Sequence, residues 1–523
     1  MTATAFGAQA PTPRIQSEIS SSAMTTLKGS LHPLAQARFD AGRMPPNTRL
    51  NGMSIFFNRS AAQQASFETL LADQQNPASP LFHHWLTPDQ YAARFGMSQA
   101  DIDKVEAWLQ QQGFSIDSVS RSRNMIRFSG TAGQAEQAFQ TEMHFYNVDG
   151  EKHFAPSTAL SLPAAMASAV TNVGNLNDFR PRAQYIPGNK FHLNPAFTSG
   201  QSGNVYFAPG DIKTVYDMNP LINSLNDGTG QSIVVVGQSA VAVSDIENFQ
   251  SAAVLPVKDP TLVLVPGSGT SATSAGDEGE SDLDLEWSSA TAPGANIFFV
   301  YTGNNQSYSI FDSIQYAVDE KIGTIITASY GACETAFTPT EFTQLDAILS
   351  QGASQGQTII ASSGDQGSTS CSGDTTLTTA QQEALAVNYP ASSEYVTGMG
   401  GTEIIAANSV STNSTYWAAE TAGSDILTSA KIYIPEVAWN DDSSQYGLSS
   451  SGGGVSTFYT GKPSFQTGVP GIPADSKRDV PDISLYSSPD YPGYLYCTSD
   501  QSDWGTTQTG SCGSGFRASS SDT

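Results

Sequence analysis

Four short apolar runs constrain this chain more than any other feature. They are "SIVVVGQ" (232–238), "NIFFVYTG" (296–303), "GTIITASYG" (323–331) and "QTIIASSGD" (357–365). Amphipathic segments such as "DIENFQSAAV", "FDSIQYAVDEK" and "FTQLDAILSQ" separate them. Continuous apolar strands alternating with helices predict a parallel, doubly wound α/β sheet covered on both faces. In such sheets chemistry gathers outside the carboxyl ends of the strands.

Ahead of these runs the rhythm differs. "MSIFFNRS" reads as a strand and residues 61–75 as a helix. Helices follow at "LTPDQYAARFG", with Thr87 as N-cap and Pro88 at the first helical position, and at "SQADIDKVEAWLQQQ". A hairpin-like stretch "FSIDSVSRSRNMIRFSG", a helix "TAGQAEQAFQTE" and a hairpin "MHFYNVDGEKHFAP" come next. This β-α-β-β-α-β order predicts a separate α+β domain of ferredoxin-like type. Four segments result: a disordered Ser/Thr/Ala-rich leader at 1–31, a domain at 32–178, a linker at 179–204 open to proteolysis, and the α/β domain at 205–523. The Ala8-Gln9-Ala10 triplet before Pro11 has the form of a signal-cleavage site. We therefore expect an exported protein, extracellular or periplasmic.

Net charge is −26, and the basic and acidic residues of the first 189 positions balance, so all of the excess falls after them. Such a surface repels nucleic acid and anionic membranes, and no stretch has the length of a membrane span. All six histidines lie at or before His192. The α/β domain therefore holds no histidine base and no His-ligated zinc of its own. Its four cysteines form no CxxC pair, and the local pairing expected is Cys333 with Cys371 and Cys497 with Cys512.

"DEGESDLDLEW" (277–287) places six carboxylates in eleven positions without a Lys or Arg. On a helix at about 100° per residue, Glu280 and Asp284 share the side that carries Leu283 and Trp287. Glu278, Asp282 and Glu286 point away, towards solvent, and Gly279 suggests a helix start after it. A carboxyl pair on an apolar side resists ionisation, titrates as a unit and can handle a proton. In "SSGDQGS" (362–368), Asp365 sits at the carboxyl end of an apolar strand between glycines, and "GLSSSGGGVSTFY" (447–459) allows close backbone approach.

In this order the pieces resemble the sedolisins, the serine-carboxyl peptidases, in their kumamolisin-type precursor form. "SPLFHHWLTPDQYAARFG" is similar to part of the family's activation propeptide. "GQSIVVVGQ", "GESDLDLEWSSATAPGANI", "ASYG", "SSGDQG", "NYPASSEYVTGMGGT", "EVAWN", "SSGGGVSTFY" and "RDVPDIS" match its ordered motifs. Tyr330 stands in "ASYG" where relatives often carry Trp. The resemblance implies a subtilisin-like α/β fold and acid proteolysis, with Glu280 as base, Asp284 as its partner and Asp365 as oxyanion donor. Ser451, Gly452, Gly453 and Gly454 would line the substrate cleft. It further implies a polypeptide substrate, the propeptide as intramolecular inhibitor, and a monomer. At about pH 4 a histidine is almost wholly protonated, whereas a glutamate is near its titration midpoint and remains a usable base.

The family's G-T-S-x-S nucleophile motif, expected soon after "VPDIS", does not occur there, and the calcium loop that follows it is missing too. We read the chain as truncated before both, and so inactive as it stands, with no calcium ligand assignable. Gly269-Thr270-Ser271, Ser456 and the serines at 519–521 lie out of order for a nucleophile. The alternative reading is a non-catalytic, peptidase-like binding protein. A glycoside hydrolase would set its two acids across a sugar, not on adjacent turns of one helix.

Overall fold

A computed structural model describes residues 10–186, 205–374, 376–419, 427–443, 447–489, 492–500 and 517–521. The four apolar runs form neighbouring parallel strands, Ser232–Gly237, Asn296–Tyr301, Ile325–Ala328 and Thr358–Ser362. Across the sheet the order is Thr261–Leu264, Asn296–Tyr301, Ser232–Gly237, Ile325–Ala328, Thr358–Ser362, Thr397–Ile404 and Glu436–Ala438. Ile483–Tyr486 also pairs with Thr397–Ile404, and Glu436–Ala438 is the antiparallel member.

Strand residues alternate between two cores, as the period of two requires. Val234 and Val236 meet Ile314, Val318, Leu345 and Leu349 from the helices Ile310–Glu320 and Pro339–Ser354. Val235 meets Ile246 and Leu285 from the helices Val243–Ala252 and Asp277–Thr291. The sheet is therefore covered on both faces, the doubly wound arrangement expected from its apolar runs and, in its subtilisin-like form, from the resemblance.

The preceding region has a four-stranded antiparallel sheet in the order Ser115–Val119, Met125–Thr131, Arg49–Phe57, Val170–Gly174. The helices Ala61–Gln75, Pro88–Phe95, Gln99–Gln111 and Ala132–Phe139 complete a ferredoxin-like fold. Thr87 caps its helix as expected, its side chain accepting from Gln90 N while Gln90 reaches back to Thr87 N. The fourth strand, Val170–Gly174, was not legible in the sequence. The hairpin Met143–Val148/Glu151–Pro156 stands apart from the main sheet, paired to Asp40–Arg43.

The disordered leader is corrected for its described part. Arg14 N and Ile15 N both donate to Asp101, Ile15 is buried in the core, and Met24–Thr26 pairs with Ser161–Pro163. A buried carboxylate with two backbone donors outweighs the polar composition of the segment.

The two parts meet through polar and aromatic contacts. Arg127 donates to Asp312 at 2.6 Å with both side chains buried, and Asn175 also donates to Asp312. Asn172 donates to Gln344, Asn124 to Gln351, and the Trp85 ring lies against Gly356. Cys333 and Cys371 form the expected disulfide, while the second pairing involves Cys512, outside the described residues.

Candidate active site

The acid-rich helix spans Asp277–Thr291, starting two residues before Gly279 rather than after it. Gly276 precedes it with φ 84°, a left-handed conformation open to glycine, and Asp500 Oδ2 accepts from Gly276 N at 2.8 Å and Gly279 N at 3.0 Å. A carboxylate at the helix N-terminus satisfies two donors that the helix leaves open.

Glu280 and Asp284 lie one turn apart and both are buried. Burial first, then repulsion from Asp284 and Asp365, holds the Glu280 carboxyl well above the usual range. Two ionised carboxylates have no hydrogen to share, but with one proton between them their contact becomes a hydrogen bond. Ser329, at the end of the strand Ile325–Ala328, donates its hydroxyl to Asp284 Oδ1 at 3.0 Å. Tyr330, in the Trp position, directs its hydroxyl towards Asp277 O.

Asp365 is buried just past the strand Thr358–Ser362 and interacts with Glu280. The structure therefore brings together the three carboxyls singled out by sequence. Residues 451–454 pack beside them. Gly452 N donates to Gly364 O, Ser363 donates to Gly452 O at 2.7 Å, and Ser450 N donates to Asp365 O at 2.9 Å. A Cβ on Gly452 would stand 2.0 Å from Ser363 O, so only glycine admits this approach. Ser451 Oγ accepts from Gly401 N. These contacts hold the backbone around Asp365.

The solvent-facing assignment of the remaining acids is overturned. Glu278, Asp282 and Glu286 are buried like their neighbours. Asp282 accepts from Thr498 Oγ at 2.8 Å, and Glu286 accepts from Cys497 N at 3.0 Å. Burial is the largest cause raising both carboxyls well above their usual range. Repulsion from Asp245 comes next for Asp282, and from Asp282 for Glu286. The helix has no bare side because Val243–Ala252 and the segment around 495–500 cover the face opposite Glu280. A continuous run without Lys or Arg was the available signal, since a solvated acidic face usually intersperses cations.

Sequence reasoning also missed Gln184. Residues Arg182–Ala183 pair antiparallel with Gly331 and Tyr330, Gln184 N donates to Ser329 O at 2.9 Å, and Ser362 donates to Gln184 Oε1 at 2.9 Å. Tyr185–Ile186 continues as a strand beside Arg517–Ser521. The start of the linker thus crosses the acids as an extended strand.

The out-of-order serines are otherwise engaged. Ser271 is exposed and bonds Tyr301 Oη, while Ser456 is buried and donates to Glu334. The side chains of 519–521 lie outside the described residues. Among the described residues no group of three or more His, Cys, Asp or Glu side chains could hold a metal ion.

Residues 38–179 match the Pro-kumamolisin activation domain. Over 80% of its length the chain is 31% identical to xanthomonalisin of Xanthomonas sp. (strain T-22). Over 81% it is 27% identical to sedolisin of Pseudomonas sp. (strain 101), covering 68% of that protein. Over 80% it is 27% identical to kumamolisin of Bacillus sp. (strain MN-32), covering 70%. The chain spans about half of xanthomonalisin, 52% of its length. A two-sided α/β sheet with buried acids at its strand ends, preceded by an activation domain, defines the class. The chain belongs to the sedolisin family, in its kumamolisin-type precursor form.

Proposed function

We propose that the chain is the zymogen form of a secreted, acid-acting serine-carboxyl endopeptidase that cleaves polypeptides. The observation that carries this reading is the buried constellation of Glu280, Asp284 and Asp365, with Ser329 bonded to Asp284. A pair holding one proton offers both a carboxylate that can accept and a carboxyl that can donate. Glu280 takes the proton of the attacking serine hydroxyl and returns it to the leaving amine. Asp284 shares the charge. Asp365, when protonated, donates to the tetrahedral oxyanion, which an ionised carboxylate cannot do.

The nucleophilic serine is assigned to no residue described here, and no step is routed through calcium. The activation domain acts as an intramolecular inhibitor, a role supported by the strand that the linker following it lays across the acids. Export is supported by the Ala8-Gln9-Ala10 triplet, and no described helix is long and apolar enough to cross a membrane.

The test is an assay of the complete gene product on a denatured protein substrate between pH 3 and 7, beside a Glu280→Gln variant. Acid-only cleavage that vanishes in the variant supports the reading. Cleavage unaffected by the substitution, or none at any pH, sinks it.

A further inference from the structure

The peptide that crosses the acids is held in one register. Arg182 faces Gly331, Ala183 faces Tyr330, and Gln184 N is bonded to Ser329 O. Ser329 is also the residue whose hydroxyl holds Asp284. Gln184 is therefore the linker residue brought to the carboxyl pair, and its own carbonyl is the next group along the chain.

Its side chain is received by a pocket and not by solvent. Arg182 is exposed, whereas Gln184, two residues on and so on the same side of the strand, is 8% exposed. Ser362 donates to Gln184 Oε1 at 2.9 Å. At Gly331 the missing side chain makes the room: a Cβ there would stand 2.8 Å from Gln184 Nε2 and 2.8 Å from Asn388 Nδ2. Asn388 is buried, and its Oδ1 has no hydrogen-bond partner among the described residues. A donor and an orphaned acceptor thus flank the amide, and all three groups are neutral.

The pocket is joined directly to the acids. Ser362 ends the strand that leads through Ser363 and Gly364 to Asp365, and a Cβ on Gly364 would stand 3.0 Å from Asn388 Nδ2. The wall that grips Gln184 and the carboxyl that faces Glu280 are one short segment.

We propose that Gln184–Tyr185 is the first peptide bond this protein hydrolyses, and that the Ser362/Asn388/Gly331 pocket selects glutamine-like, neutral hydrogen-bonding side chains on the N-terminal side of the cut. This rests on the peptidase reading above. The C–N bond between Gln184 and Tyr185 breaks. Water supplies the hydroxyl that completes the Gln184 carboxyl group and the proton that completes the Tyr185 amine. A polar pocket discriminates well because an apolar occupant leaves its buried groups unpaired.

The experiment takes the complete gene product as precursor at neutral pH, shifts it to pH 4, and reads the earliest new termini by mass spectrometry. The expected first products end at Gln184 and begin at Tyr185. A Glu280-dependent first cut at any other bond overturns the inference alone. No cut, or one that persists in a Glu280→Gln precursor, overturns the peptidase reading and the inference with it. On the processed enzyme, peptides that differ only before the scissile bond test the pocket. Glutamine is expected to exceed leucine in kcat/KM by about tenfold or more, and Ser362→Ala to remove about tenfold of that preference. Equal rates for the two peptides on the unsubstituted enzyme overturn the pocket assignment.

Discussion

Ser329 and Asp284 are joined by a 3.0 Å hydrogen bond from the serine hydroxyl to Oδ1 of the aspartate. Asp284 stands one helical turn from Glu280, so this bond fixes which way the acid pair faces. Ser329→Ala should leave the fold intact and cost about 10- to 100-fold in kcat, the range typical of a lost supporting contact. It should also move the acid limb of the pH–rate profile. The hydroxyl eases the charge on Glu280, so without it the pair holds its proton to higher pH. A rate loss with an unmoved profile would make Ser329 a packing residue only.

Stability should peak at acid pH and fall towards neutrality. Asp211 and Asp319 are buried and Asp346 is half-buried, and desolvation raises each from 3.8 to about 6. Asp282 and Glu286 are raised as well, burial being the main cause. A carboxyl whose folded pKa exceeds its unfolded value holds its proton longer in the folded state. Below about pH 4 both states are protonated and nothing is lost. As pH rises from there towards and through 6 the unfolded state is favoured, by up to about 3 kcal/mol for each shift of that size. Calorimetry from pH 3.5 to 8 should show a falling Tm. Asp282→Asn should raise Tm at pH 7 with little change at pH 4. A flat profile in the unsubstituted protein would contradict the assignment.

What the sequence revealed follows from which contacts are local. The four parallel strands were legible because each is a short apolar run of mostly Val, Ile and Phe. Glu280 and Asp284 were legible because a four-residue spacing places both on one helix side. Asp282 and Glu286 were misread because Thr498 and Cys497, which cover them, lie more than 200 positions away in sequence. Ile15 was misread for a similar reason, since its order depends on Asp101. Gln184 sits in a Pro- and Gly-rich stretch with no periodicity, and only the pairing of its neighbours with Tyr330 and Gly331 gives it a role.

The disulfide between Cys333 and Cys371 closes a loop with a sequence separation of 38 that contains Asp365. Removing it as a Cys333→Ser/Cys371→Ser pair frees that loop in the unfolded chain, at a cost of about 4 kcal/mol on the loop-entropy model. Reduction should therefore lower Tm, and activity should fall before global unfolding because Asp365 sits six residues from Cys371. Parallel loss of activity and structure across a melt would show instead that the bond stabilises the domain as a whole.

Arg127 and Asp312 join the activation region to the α/β domain through one buried ion pair. Arg127 Nη2 donates to Asp312 Oδ1 at 2.6 Å, and its guanidinium lies 4.6 Å from the centre of the Tyr308 ring. Asp312 also caps its helix by accepting from Ser309 N. Arg127→Ala would leave a buried carboxylate with amide donors but no cation, a loss on the order of 3–5 kcal/mol. Replacing both residues, Arg127→Met with Asp312→Asn, removes the uncompensated charge and should recover much of it. The complete precursor should accordingly activate with a shorter lag after a shift to pH 4 in the single variant, and with an intermediate lag in the double variant. If the single variant keeps the original lag, the ion pair does not limit release. The inhibitory hold would then rest on the strand that Arg182–Gln184 lays across the acids.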